Sequence, residues 1–306
     1  MTPALARASL VVGTASWGLT FVANHELLYV LTPQQITVVR FGMVSLALLS
    51  VLVIRPELRP RFTGREWALM VLCGFLAVPG SQLALTYGQR FLSPAMSGLV
   101  VATGPAFAAV LAVVLLSERL DLRKWLGILL AFTGAAAVIV FTTGTGTDLT
   151  VRDPRGAALV GVAQLCWATF TVLSKGLVAR HPPITIVTVA VTIGTVSLLP
   201  FAPEAVRIAS TLGAEHWVWL FHLALLGTVV PYLIWFTALR QLPANETAVF
   251  MFLVPLFAVT WSAVLLGERP AWIGVLGGIA IVAGVAVTQL SSRARPRLAR
   301  PEVTTP

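Results

Sequence analysis

The ionisable residues in long apolar runs of this sequence include His25, Glu26 and Arg40. A charge held away from water is costly unless it is paired, so such residues are candidates for a functional role. Glu26 and Arg40 could form an ion pair between neighbouring segments, which would be a structural role. His25 or Glu26 could instead carry a proton. The residue types alone leave both interpretations open.

A second candidate is a motif that occurs twice, 150 residues apart. The stretches GPAFAAVLAVVLLSERL and VPLFAVTWSAVLLGERP each contain a proline, Pro105 or Pro255, thirteen residues before a Glu-Arg pair. A proline inside an apolar helix removes one backbone hydrogen bond and bends the helix. The charged pairs could close a passage by forming ion pairs, or could end a helix at the solvated surface, where an ion pair contributes little. These residues are Glu118, Arg119, Glu268 and Arg269.

The composition shows what kind of elements hold these residues. Of the 306 residues, 57% are hydrophobic and only 11% are charged, and the mean hydropathy is +0.89. A water-soluble domain carries about 25% charged residues. The net charge of +9 does not indicate nucleic-acid binding, because the cations cluster in short loops beside apolar runs. The lipid bilayer is therefore the expected surrounding, and the expected fold class is an all-α membrane protein.

Ten segments are apolar and long enough to be transmembrane helices, which need roughly 20 residues each. Lysine and arginine mark the cytoplasmic loops of membrane proteins. With the N-terminus in the cytoplasm, fifteen cations lie inside and five outside, so both termini are predicted to be cytoplasmic. The predicted spans are Ala8–Tyr29, Gln34–Ile54, Glu66–Tyr87, Pro94–Leu116, Leu122–Thr142, Arg155–Gly176, Ile184–Ala202, Glu215–Leu239, Ala244–Leu266 and Ala271–Leu290.

The two halves of the chain form an internal repeat. At the offset of 150, Trp17 corresponds to Trp167, and the two prolines and the two Glu-Arg pairs also correspond. Each half has five predicted spans, an odd number, so the second half should be inverted relative to the first. We predict two inverted five-helix repeats, 1–150 and 151–290, followed by a basic cytoplasmic tail, 291–306.

The twin endings P…LL(S/G)ER…G…G, the early SWG and CWA, and the stretches VVRFG and LTYGQRFLSPA resemble the ten-span carriers of the drug/metabolite transporter superfamily, EamA type. The sequence departs from that pattern at GERPAW, where a proline follows the second Glu-Arg pair. The resemblance implies that the fourth and ninth helices lie at a central cavity. It also implies a small-molecule substrate.

The early tryptophans lie too deep in their spans for an interfacial aromatic belt, so they either pack between helices or line a cavity. Similar alternatives hold for the polar and aromatic residues near them, and for the prolines, which could be packing kinks. The candidates for a substrate cavity are Trp17, Thr20, Gln82, Thr103, Pro105, Trp167, Thr171, Tyr232, Trp235 and Pro255.

The expected function is secondary transport, with export of a small metabolite such as an amino acid across a bacterial plasma membrane by alternating access. The alternatives are an intramembrane enzyme and a lipid-handling scaffold without saturable transport. No nucleotide motif, catalytic constellation or metal-ligand spacing is visible in the sequence, so we expect no enzyme activity, cofactor or metal. The paired glycines of the fifth and tenth spans fit a homodimer contact and a contact within one chain equally well.

Overall fold

The structure is a computed structural model that describes residues 2–91, 97, 100–118, 121–142, 154–266 and 272–293. This part of the chain contains helices and no strands. The first half contains α1 Pro3–Leu28, α2 Pro33–Ile54, α3 Gly64–Gly88, α4 Gly104–Leu116 and α5 Leu122–Thr142. The second half contains α6 Pro154–Arg180, α7 Pro183–Val196, α8 Ala214–Gln241, α9 (Ala244–Val249 and Leu253–Leu266, joined by the 3-10 turn Phe250–Phe252) and α10 Trp272–Arg293.

Local sequence explains where the early helices begin. Thr32 and Thr63 cap α2 and α3, and each forms a reciprocal pair of hydrogen bonds with the residue three positions later, Gln35 or Glu66. Such a box satisfies backbone donors that the first helical turn leaves without partners. The starts of these helices are thus determined by short polar motifs at the edges of the apolar runs.

Five helices in the described residues are long and apolar enough to cross a membrane: α1, α2, α3, α6 and α8. A sixth span is possible if α7 is counted with the helix that follows it, Leu199–Ala209, from which it is bent by 56°. The predicted span Ile184–Ala202 therefore contains this bend and is not one continuous α-helix. Pro200 explains the break, because proline cannot donate a backbone hydrogen bond and disfavours helix at the residue before it.

Two of the long helices contain a widened π segment. It covers Leu76–Leu83 in α3 and His222–Val229 in α8. Pro79 lies inside the first, and Pro231 follows the second. A π segment shifts the register of the backbone hydrogen bonds and often occurs at functional positions. Both segments lie beside the cavity described below.

Helices of one half pack mainly against helices of the other. α1 contacts α8 and α9, whereas its counterpart α6 contacts α3 and α4. α2 contacts its own counterpart α7, and α5 contacts its counterpart α10, the most extensive helix pair in the described residues. Exchanging the two halves leaves this pattern of contacts unchanged. That is the pattern of two repeats related by a two-fold pseudo-axis.

The contact between α5 and α10 shows that the counterparts run in opposite directions. A methyl group added to Gly127 would lie 2.8 Å from the carbonyl oxygen of Gly284, and one added to Gly134 would lie 2.7 Å from that of Gly277. The contact order along α5 is thus reversed along α10, as an inverted repeat requires. These glycines permit close helix packing within the chain.

The pseudo-axis passes between residues that are 150 positions apart. Ser45 Oγ donates to Thr195 Oγ1 at 3.0 Å between α2 and α7. The rings of Trp17 and Trp167 meet edge to face between α1 and α6, with centroids 5.6 Å apart. The two tryptophans that the sequence pairs by offset are therefore direct neighbours on the axis.

Candidate functional site

A cavity lies between the two halves, next to the paired tryptophans. The empty space in the cavity, together with the open solvent at its mouth, amounts to about 550 Å³. Three pairs of residues at the offset of 150 line it together, so it straddles the pseudo-axis. The lining residues are Trp17, Thr20, Phe21, Asn24, Arg40, Ser81, Gln82, Leu85, Gln89, Val101, Gln164, Trp167, Tyr232, Met251 and Val254.

One wall of the cavity is aromatic. The ring centroids of Trp17 and Tyr232 are 6.2 Å apart, and those of Trp167 and Tyr232 are 5.1 Å apart. Edge-to-face and tilted arrangements of this kind hold each ring in place through its neighbours. Trp167 and Tyr232 are also almost completely buried within the protein. The wall is a rigid surface against which an apolar or cationic group of a ligand can pack.

Two residues predicted for the cavity lie behind this wall. Trp235 is 1% exposed, and its Nε1 donates to Thr171 Oγ1 at 3.2 Å. Neither residue lines the cavity. Tyr232 and Trp235 are one helical turn apart on α8, and the rotation of that helix points Tyr232 into the cavity and Trp235 into the core. In this structure Trp235 and Thr171 thus bond to each other behind the wall, and a direct contact of either with a ligand stays a prediction.

Polar side chains form much of the remaining lining, and several buried polar atoms around the cavity, including two of the aromatic wall, have no hydrogen-bond partner among the described residues. Asn24 Nδ2 donates to Gln89 Oε1 at 3.4 Å, which leaves Asn24 Oδ1 without a partner. The same is true of Gln164 Oε1, Trp167 Nε1 and Tyr232 OH. Buried polar atoms are normally hydrogen-bonded, so four such atoms around one cavity indicate a place for a polar ligand or water.

The ion pair that Glu26 and Arg40 could form is not present in this structure. Arg40 Nε donates to Thr228 Oγ1 at 2.8 Å, and Arg40 Nη2 donates to the carbonyl oxygen of Gly227 at 3.1 Å. Both partners belong to the π segment of α8, whose altered register directs them toward α2. Glu26 and His25 are exposed near the end of α1, and His25 contacts Tyr29. Arg40 thus joins the two halves and lines the cavity instead.

Replacing Glu26 by glutamine is accordingly expected to have little effect. An exposed carboxylate without a buried partner contributes within about 0.5 kcal/mol to stability. We expect the melting temperature and the folded yield of Glu26→Gln to match those of the wild type, and thermal unfolding of the purified protein checks this. A large loss of stability in Glu26→Gln, with no further loss when Arg40→Gln is added to it, would show that the two side chains interact.

The repeated prolines begin helices rather than bend them. Pro105 lies in the first turn of α4, directly after a break at Ala102–Thr103, and Pro255 lies in the first turn of the second part of α9. Proline is tolerated there because the first helical turn has no internal partner for its missing donor. Thr103, Pro105 and Pro255 do not line the cavity.

These interruptions nevertheless shape the cavity. The residues that line it from the two interrupted helices are Val101 in one repeat and Met251 and Val254 in the other. Val101 and Met251 are counterparts at the offset of 150. The breaks therefore bring equivalent apolar side chains of both halves to the same space, while the prolines that cause them stay outside it.

The first Glu-Arg motif caps a helix of the other half. Ser117 ends α4 in the left-handed conformation, with φ 53°, and this turn directs Glu118 away from its own helix. Glu118 Oε1 accepts from the backbone N–H of Ala244 at 2.7 Å, and Glu118 Oε2 accepts from that of Asn245 at 3.1 Å. A carboxylate at a helix start is favoured by its free N–H groups and by the helix dipole. Arg119, Glu268 and Arg269 lie outside the described residues.

A group of charged residues lies at the same end of the molecule. Glu246, in the first turn of α9, is 3.3 Å from Arg7 and 3.5 Å from Lys124. Lys175 donates to the carbonyl oxygens of Leu239 and Leu242 and interacts with the charges of Glu118 and Glu246. These contacts join α1, α4, α5, α6 and α9. We call this set of residues, with Glu118, the charged cluster.

Three residues that line the cavity have counterparts in the other half that are packed in the protein interior, on the side of the charged cluster. At the offset of 150, Thr20, Asn24 and Gln89 correspond to Phe170, Ser174 and Leu239, and each of these three is fully buried. The two halves therefore share one arrangement of helices, but equivalent residues of the two halves have different surroundings in this structure. Thr20, Asn24 and Gln89 line the cavity, whereas their counterparts near the charged cluster are enclosed by packed side chains.

The geometry fits what comparison with known proteins shows. The model of the EamA-like transporter family matches the chain twice, over residues 6–140 and 154–290. The chain belongs to the EamA-like transporter family. It is thus a multi-pass membrane protein of a transporter family within the drug/metabolite transporter superfamily, as the sequence motifs predicted.

Individual relatives of this EamA-like chain are more distant. An uncharacterized transporter of Archaeoglobus fulgidus is 24% identical and covers 90% of this chain and 95% of its own length. A protein of Streptantibioticus cattleyicolor, described as a "probable terminal-alkyne amino-acid exporter", is 28% identical over 78% of both chains. A crystal structure that is 16% identical and covers 95% of this chain and 97% of its own has a TM-score of 0.75 and shows the same fold.

Sequence reasoning found part of this site. Trp17, Thr20, Gln82, Trp167 and Tyr232 were predicted to line a cavity, and the structure places all five around one. Other lining residues were missed, among them Ser81, Gln89, Met251 and Val254. The offset contained a signal for one of them, because the lining residue Met251 is the counterpart of Val101.

Proposed function

We propose that this protein is a secondary transporter that exports a small organic metabolite, such as an amino acid, by alternating access. The observation that carries the proposal is the cavity between the two repeats, which is lined by buried polar atoms without partners among the described residues, whereas the counterparts of Thr20, Asn24 and Gln89 in the other half are fully buried. Inverted repeats that enclose one central site can open alternately to either side. The relative described as an amino-acid exporter supports the substrate class.

We further propose that the repeats, 1–150 and 151–290, and the tail, 291–306, are arranged with both termini in the cytoplasm of a bacterial cell. The charged cluster supports this topology. Its helix ends, at Arg7, Glu118, Lys124, Lys175 and Glu246, would all be cytoplasmic in the proposed arrangement. The cavity would then open to the outside.

A fusion of a reporter that is active only in the cytoplasm tests this orientation. A reporter placed after residue 306, or in the loop 55–65, is expected to be active, whereas one placed at 144–154 is expected to be inactive. An inactive reporter at the C-terminus would overturn the proposed orientation, because ten spans return the chain to its starting side.

Transport itself is tested with the purified protein in liposomes loaded with a mixture of metabolites, including all twenty common amino acids. We expect at least one compound to leave the vesicles at a saturable rate that exceeds the rate from protein-free liposomes, as measured by mass spectrometry. A lipid-handling scaffold would give no saturable flux. Chemical conversion of a loaded compound, with no flux, would favour an intramembrane enzyme. Either result would overturn the proposal.

A further inference from the structure

The cavity contains a positive charge that no described carboxylate balances. Of its lining residues, Arg40 is the one with a formal charge. Arg40 is 4% exposed, and its hydrogen bonds use Nε and Nη2, so Nη1 has no partner among the described residues. A buried, unpaired charge is strongly unfavourable. A bound anion would remove this penalty.

The guanidinium is held in position before any ligand arrives. Thr228 and Gly227 bind two of its nitrogens from α8, and the ring of Phe41 lies 5.1 Å from Cζ. Neutral partners of this kind fix the orientation of the group without neutralising it. A rigid guanidinium is well suited to a carboxylate, which it can bind through two parallel hydrogen bonds.

The remaining partnerless atoms of the cavity suit a second, positively charged group. Asn24 Oδ1 and Gln164 Oε1 are acceptors, and the bond from Asn24 Nδ2 to Gln89 determines which atom of the Asn24 amide is free. Amide oxygens accept hydrogen bonds from an ammonium group, and the faces of Trp17 and Trp167 attract a cation. No carboxylate lines the cavity in the described part of the chain.

We propose that the cavity binds a zwitterionic amino acid with an uncharged side chain, whose carboxylate pairs with Arg40. The ammonium group binds the amide oxygens of Asn24 and Gln164. The side chain packs against the apolar part of the lining, formed by Leu85, Val101, Met251 and Val254. This inference rests on the proposed transport function and adds the chemical class of the substrate and the residue that recognises it.

The first test changes the ligand and leaves the protein intact, so it does not depend on the folding of a variant. Liposomes are loaded with L-leucine, L-leucinamide, 3-methylbutylamine, L-glutamate and L-lysine. A second set contains the neutral amino acid that leaves the vesicles fastest in the metabolite mixture, together with its amide and the corresponding amine. L-Leucine or that amino acid is expected to leave roughly 10- to 100-fold faster than its amide or amine, the range that one charge-assisted hydrogen-bonded pair provides. The two charged amino acids are expected to leave slowly.

The second test asks whether Arg40 is the group that recognises the carboxylate. Arg40→Gln is expected to remove most of the difference in rate between the amino acid and its amide, and Arg40→Lys to keep part of it. A merely structural role would lower the rates of both compounds by the same factor. Arg207→Gln is the matched control, because Arg207 is exposed and paired with Glu204.

The outcomes separate this inference from the proposed function. Flux of compounds that have no carboxylate, or an unchanged preference in Arg40→Gln, would overturn the inference and leave the transport function standing. A complete lack of flux for every compound of the mixture would overturn both.

Discussion

Trp167→Phe is expected to weaken the apparent affinity for the transported substrate about 10-fold while the protein remains folded. Phenylalanine keeps an aromatic ring in the wall but lacks the Nε1–H donor, which has no partner among the described residues. Losing one hydrogen bond to a ligand amounts to about 1–1.5 kcal/mol. No protein group among the described residues depends on that donor, so the variant should lose stability only through the weaker packing of the smaller ring against Trp17 and Tyr232.

Trp235→Phe is the matched control for this prediction. Trp235 lies behind the wall, and its Nε1 donates to Thr171, so the same substitution leaves a buried hydroxyl without its donor. We expect a loss of stability of about 1–3 kcal/mol with unchanged affinity. Thermal unfolding and the KM of transport, measured for both variants, separate the two effects. An affinity loss in Trp235→Phe but not in Trp167→Phe would contradict the assignment of the wall.

Glu118→Gln is expected to open the side of the molecule that is closed in this structure. The change removes the negative charge that binds two backbone N–H groups at the start of α9. Helix-start interactions of this kind contribute about 0.5–2 kcal/mol, so the ratio of the two conformations should shift by roughly 2- to 30-fold. The KM measured from the cytoplasmic side should fall, and the KM measured from the outside should rise.

The second copy of the motif provides a matched variant. Glu268 lies outside the described residues, but the repeat predicts that it caps a helix of the first half when the outer side is closed. Gly267 precedes it where Ser117 precedes Glu118, and glycine adopts the left-handed conformation easily. Glu268→Gln should therefore shift both KM values in the opposite direction to Glu118→Gln. Equal shifts in the same direction would show that the two motifs are not equivalent.

Much of this architecture could be predicted from the sequence because the repeat is visible in it. The offset of 150 that pairs Trp17 with Trp167 also pairs Ser45 with Thr195, and both pairs are in contact. Two residues equivalent by the repeat must lie at equal distance from the pseudo-axis. The inverted arrangement therefore brings residues close to the axis into contact, whatever the details of packing.

The partners of Arg40 could not be predicted in this way. They come from the π segment of α8, where Gly227 presents a carbonyl oxygen and Thr228 a hydroxyl toward α2. Hydrophobic periodicity does not reveal a shift of helix register. Glu26 was a candidate partner because it carries the opposite charge in a neighbouring apolar run. Its side chain lies near the end of α1 and is exposed. Periodicity likewise could not tell which of Tyr232 and Trp235 faces the cavity.

The central claim is that one site between the repeats is exposed to one side of the membrane at a time. Single cysteines at Gln89 and Ser174 report on the two sides, because Gln89 lines the open cavity and Ser174 is the buried counterpart of Asn24. The native Cys73 and Cys166 are first replaced by alanine. Removing Cys73 also prevents a disulfide with Ser174→Cys, since Cys73 Sγ lies 3.8 Å from Ser174 Oγ.

The measurement is the rate at which a small charged thiol reagent modifies each cysteine in nanodiscs, where both faces are accessible. We predict that Gln89→Cys reacts rapidly and Ser174→Cys slowly, and that adding Glu118→Gln slows the first reaction and accelerates the second. Rapid modification of both cysteines in the same protein would indicate an open pore and contradict alternating access. Protection of Ser174→Cys under every condition in which transport proceeds would contradict it as well.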